Sequence, residues 1–89
     1  AAEIQLSIAA IEMRQLKFQP AAMSYLSASQ ITPDAAVERQ ALLQAARALS
    51  LGRMNEQARE IYHQVLAKPL PQSERRQIAR ELERLGIPP

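Results

Sequence analysis

The chain has 89 residues, a net charge of +2, no cysteine, no tryptophan, one phenylalanine and two tyrosines. At this length it forms one domain with a small core, and the missing cysteines exclude a disulfide scaffold and any thiolate metal site. An apolar content of 47% with 22% charge excludes a disordered polar chain, and with no 18-residue apolar run and no basic-plus-apolar leader, neither a membrane-spanning helix nor a signal peptide is expected in these residues.

Aromatic and β-branched residues, which favour strands, are scarce, so the expected class is all-α. The chain opens Ala1-Ala2-Glu3 with a helical pattern already running by Ile4. This leads us to expect that residues 1–89 form a single unit cut from a longer protein. Nine arginines against two lysines, with much alanine, suggest a bacterial source.

Proline and glycine predict five helices. The first is expected from about Glu3 to Phe18, ending before Pro20 because a residue ahead of proline disfavours helix. It has two apolar faces, Ile4, Ile8, Ile11 and Phe18 on one and Leu6, Ala10, Met13 and Leu16 on the other. Two apolar faces need two partners. The second helix is expected from Pro20 to about Ser29. Thr32-Pro33-Asp34 then predicts a Thr32 N-cap with Pro33 in the first helical position, and the third helix continues to about Leu51, where Gly52 is placed to supply a left-handed C-cap.

The fourth helix, from Met54 or Asn55 to Ala67, puts Met54, Ala58, Ile61, Tyr62 and Val65 on one side and Glu56, Arg59 and His63 on the other. The fifth, from about Ser73 to Leu85, has a narrow stripe of Ile78, Leu82 and Leu85 ringed by Arg75, Arg76, Arg80, Glu83 and Arg84. It reads as a lid, apolar on one side only, closing with Gly86 and a Schellman cap that brings Ile87 onto Leu82.

Helices one and two overlay helices three and four at an offset of 37 residues. Leu6 meets Leu43, Ala9 meets Ala46, Ala21 meets Ala58, Tyr25 meets Tyr62 and Ala28 meets Val65. Such a period predicts stacked helical hairpins. In the first unit Phe18, Ala21, Tyr25, Ala28 and Pro33 follow an order of aromatic, small, aromatic, small and proline. In these residues the chain resembles the tetratricopeptide repeat family.

The second unit keeps Gly52, Met54, Ala58, Tyr62, Val65 and Leu66, with one residue more between Gly52 and Ala58 than the family has, and neither unit has the bulky aromatic expected early in its first helix. The resemblance implies antiparallel hairpins stacked as a right-handed superhelix. Repeat one covers about residues 3–33, repeat two about 34–70 and a capping helix about 72–86.

No catalytic constellation is legible. His63 is alone on a polar face, Glu81 and Glu83 point to different sides of one helix, and no glycine-rich loop or metal-ligand cluster exists in the sequence. No enzyme activity, cofactor or metal is expected. Residues 72–89 carry a near-balanced charge without aromatics, which disfavours nucleic-acid binding and makes Arg75, Arg76, Arg80 and Arg84 a solvated face.

The resemblance implies instead a non-catalytic protein–protein interaction module whose concave groove holds a peptide or helix. Carried over by spacing, the groove is lined by Glu3, Leu6, Ala10, Met13 and Arg14 in unit one and by Gln40, Leu43, Arg47 and Ser50 in unit two. A helical wheel of residues 34–51 groups Arg39, Gln40, Gln44, Arg47 and Ser50 around a lone Leu43, which suits a partner contact. The polar clamp for a C-terminal carboxylate is missing at Leu6 and Ala10. The alternatives are an RNA-binding repeat of the pentatricopeptide kind, faintly resembled by Gly52-Arg53-Met54, and a structural segment that dimerises through helix one.

Overall fold

The computed structural model describes residues 1–86 and contains α1 (Ala2–Arg14), α2 (Phe18–Ile31), α3 (Ala35–Leu51), α4 (Asn55–Leu66) and α5 (Gln72–Gly86). Among the described residues there is no strand, and the all-α class holds. No described helix is long and apolar enough to cross a membrane.

Each helix packs on its neighbours in the chain, α1 on α2, α2 on α3, α3 on α4 and α4 on α5. Ion pairs set α5 beside α3, and a cleft lined by Leu26, Ser29, Ile61 and Gln64 sets α2 beside α4. The result is a slab 37 × 28 × 17 Å, two helices thick.

The core is made of alanine. Ala9, Ala21, Ala22, Ala28, Ala45, Ala46, Ala48 and Ala58 are all fully buried, and the largest side chain below 2% exposure is Val65. Small residues let helix backbones approach closely, so the fold buries its surface with a single buried ring, Tyr62, among the described residues.

Several local expectations are corrected. Helix one stops at Arg14, so Leu16 lies beyond it and Phe18 opens α2. The stop is a Schellman motif: Leu16 is left-handed at φ 60°, Lys17 N–H donates to Glu12 C=O at 2.8 Å and Leu16 N–H to Met13 C=O at 3.0 Å. Pro20 sits within the first turn of α2, where no N–H is required.

Helix α3 ends in the same motif 37 residues on. Arg53, not Gly52, is the left-handed residue at φ 63°, while Met54 N–H donates to Leu49 C=O at 2.8 Å. Gly52 has φ −82°. Its lack of a side chain serves space instead, since a Cβ there would lie 3.1 Å from both Phe18 Cβ and Met54 Cε.

The N-cap of α3 is Asp34 rather than Thr32. The Asp34 carboxylate accepts from Ala36 N–H at 2.9 Å, and the Thr32 hydroxyl accepts from Asp34 N–H one step earlier. The expected contact of Ile87 with Leu82 lies outside the described residues.

The 37-residue spacing extends to α5. Ile4, Ile8 and Ile11 on α1 correspond to Ala41, Ala45 and Ala48 on α3 and to Ile78, Leu82 and Leu85 on α5. Since α1 turns Ala9 and Glu12 to α2 within its own unit, the equivalent Ala46 and Leu49 turn to α4. This leaves Ala41, Ala45 and Ala48 toward α2. On α5 the same stripe packs into the core, whereas on α1 Ile4, Ile8 and Ile11 remain 59%, 40% and 48% exposed.

Candidate interaction cleft

Helices α3 and α5 run side by side and in the same direction. Arg39 lies 3.9 Å from Glu74, and Arg47 meets Glu81 at 2.9 Å, so later residues of one helix pair with later residues of the other. The second pair is bidentate: Arg47 Nε donates to Glu81 Oε1 and Nη2 to Oε2, both at 2.9 Å. Tyr62 on α4 donates its hydroxyl to the same Oε1 at 2.9 Å. One carboxylate thereby joins three helices.

The electrostatics follow from this geometry. The hydrogen bond from Arg47 is the main force holding the Glu81 carboxyl below its usual range, and it outweighs partial burial. The same bond raises the Arg47 guanidinium. Burial, followed by the bond to Glu81, pushes the Tyr62 phenol well above its ordinary value.

On one side of Arg47 lies a cleft of about 250 Å³ lined by Arg39, Gln40, Leu43, Arg47, Gln77 and Ile78 among others, and the knot itself borders another of about 270 Å³ with Arg47, Tyr62, Glu81 and Arg84 in its lining. A further cleft runs along α5 past Ser73, Arg76, Gln77, Arg80, Glu81 and Arg84.

The expected groove residues divide between these surroundings and α1. Gln40, Leu43 and Arg47 line the α3–α5 cleft, and Gln44 is half-buried on α3. Leu43 packs against the core rather than standing as a lone exposed leucine, and Arg47 is engaged by Glu81 rather than left for a partner. Both corrections have one cause, the lateral position of α5, which a wheel of α3 by itself does not contain. On α1, Met13 reaches the core, Leu6 and Ala10 are half-buried and Arg14 is exposed.

Gln77, Arg80 and Arg84 were missed as cleft residues. They stand 37 positions after Gln40, Leu43 and Arg47, so extending the repeat offset to helix five finds them.

Two other arginines expected to be solvated or outward-facing hold the fold. Arg75 donates to Leu66 C=O at 2.7 Å and to Lys68 C=O at 3.0 Å, capping the end of α4, and Arg59 donates to Leu85 C=O at 3.3 Å near the end of α5. Among the described residues no group of acidic, histidine or cysteine side chains is arranged to hold a metal. Compared with protein-family models, curated proteins and solved structures, the chain has no match.

Proposed function

We propose that this chain is a non-catalytic protein-binding segment of a tetratricopeptide-like helical repeat, with α5 serving as the first helix of a third unit. The observation that carries this reading is the parallel alignment of α5 beside α3, with Arg47 paired to a glutamate 34 residues later. Stacked hairpins place equivalent helices parallel and adjacent, whereas a detached lid has no reason to do so. The doubled Schellman turns at Leu16 and Arg53 support the same repeat.

The binding surface is the strip across α3 and α5. Gln40 and Gln77 offer amide groups for a partner's backbone, Leu43 offers an apolar floor, and Arg39, Arg80 and Arg84 supply positive charge. An extended or helical peptide with an acidic edge and one apolar anchor complements that surface.

A peptide-display selection on the 89-residue chain tests the proposal. Enriched peptides carry Asp or Glu around an aliphatic or aromatic residue, and a paired Arg80→Glu, Arg84→Glu change lowers their affinity about tenfold at low salt while leaving helix content intact. Failure to enrich any acidic motif overturns the reading. Salt-sensitive binding of single-stranded RNA by the same strip overturns it in favour of an RNA-binding repeat.

A further inference from the structure

Three equivalent stripes run through the molecule, and only the one on α1 is bare. Ala41, Ala45 and Ala48 are buried, Ile78 is buried with Leu82 and Leu85 packed around the core, and Ile4, Ile8 and Ile11 face solvent. The covered stripes show that a single helix laid along the position covers it, α2 over α3 and α4 over α5, the latter antiparallel because Arg59 reaches Leu85, Tyr62 reaches Glu81 and Arg75 reaches Leu66. A contiguous row of large aliphatic side chains along one face of a helix is an association site by the same physics.

We propose that the cover on α1 is α1 of a second copy of this chain, packed antiparallel about a twofold axis. The stripe suits that symmetry, since Ile4 and Ile11 lie on either side of Ile8 and present a similar profile from either end. Its charged border suits it too. At 100° per residue Glu3 and Arg14 flank the stripe on the same side and at opposite ends, and both are exposed.

A twofold axis perpendicular to the two helices brings Glu3 of one protomer beside Arg14 of the partner subunit, and the contact occurs twice. The other flank carries Gln5 and Glu12, so antiparallel packing opposes a glutamate to an amide rather than to a like charge. Glu12 is already held by the Ser24 hydroxyl at 2.7 Å, which keeps it directed toward α2. Three half-exposed isoleucines bury less than the roughly 800 Å² per partner of a standard interface, so the dimer is weak, with a dissociation constant in the micromolar range.

Sedimentation velocity of the 89-residue chain from about 5 to about 500 μM tests this directly. The expected result is a rise from monomer to dimer and no larger species. Ile8→Asp keeps the chain monomeric throughout, with far-UV circular dichroism confirming the fold. Should Ile8→Asp lose helix content, Ile4→Ser at the more exposed end of the stripe takes its place. Glu3→Arg and Arg14→Glu each weaken dimerisation, and the double variant regains it.

A monomer at every concentration overturns the proposal, as does association indifferent to the stripe substitutions or growth beyond a dimer. Failure of the charge swap to restore what the single changes lose overturns the antiparallel arrangement, and the proposal with it.

Discussion

The seam between α2 and α3 and the seam between α4 and α5 join helices of the same chain by different means. At the first, both helices bury alanine, and among the described residues no side-chain hydrogen bond crosses it. At the second, Tyr62, Arg59 and Arg75 reach across to Glu81, Leu85 C=O and Leu66 C=O around a thin apolar line of Ile78, Leu82 and Leu85. A seam of small side chains is specified by volume and tolerates no added carbon. A seam of long polar side chains is specified by pairing and fails when a partner or a charge is removed.

The largest expected effect therefore comes from size at the first seam. Ala45 is fully buried, and Ala45→Leu forces the two backbones apart, costing about 3 kcal/mol. For a domain of this length that lowers Tm by roughly 15 °C, read by thermal circular dichroism. The same substitution at Ala67, which is exposed at the end of α4, leaves Tm within about 2 °C. Equal tolerance at the two positions removes the volume argument.

Next in size is the loss of pairing at the second seam. Glu81→Ala leaves the Arg47 guanidinium and the Tyr62 hydroxyl without their shared acceptor, at a cost of about 2 kcal/mol. The loss is local, so amide exchange accelerates first in α5 and least in α1 and α2. Uniform acceleration along the chain means the two seams open as one and the contrast between them is false. Tyr62→Phe in the same background measures the coupling of the two bonds.

What could be read from the residues alone follows the same division. The five helices, the burial of Ala9, Ala21, Ala46, Ala58 and Val65, and the 37-residue repeat depend on periodicity and on proline and glycine placement, which are local. The Arg47–Glu81–Tyr62 knot joins residues 19 and 34 positions apart, and no periodicity within one helix announces it. Arg75 and Arg59 were unreadable for a similar reason. An arginine on a polar face and one that caps a neighbouring helix occupy the same wheel position until that neighbour is placed. The groove on α3 was half legible, because spacing found Gln40, Leu43 and Arg47 but not the α5 residues that share their cleft.

Acidity separates the seams with a smaller effect. The Glu81 carboxyl is lowered in the folded chain, so its contribution is fully present above the ordinary glutamate value of about 4.3 and is lost as pH falls through the lowered value. The stability advantage of the native chain over Glu81→Gln therefore narrows below about pH 4 in urea titrations. At the alkaline end Tyr62 acts in the opposite sense. Its raised value means stability is fully present below about pH 10 and declines above it as the buried phenol is forced to ionise. A pH profile unchanged by Glu81→Gln contradicts the assignment of charge to the second seam.

The smallest expected effect concerns the turn that leads from α3 into α4. Left-handed backbone at Arg53 falls on a residue with a Cβ, while the glycine beside it has φ −82° and ψ 5°, a conformation open to any residue. Arg53→Gly relieves that strain and stabilises the chain by about 0.5–1 kcal/mol, because Arg53 is exposed and nothing else is lost. Gly52→Ala acts in the opposite direction despite its favourable φ. The added Cβ sits 3.1 Å from Met54 Cε, which is the end of a flexible side chain, and 3.1 Å from Phe18 Cβ, which is not. The turn must shift by a few tenths of an ångström, and Phe18 transmits the shift to the start of α2. If Gly52→Ala proves stabilising and Arg53→Gly neutral, the glycine serves the conformation of the turn after all, and close approach between the two hairpins is not what selects it.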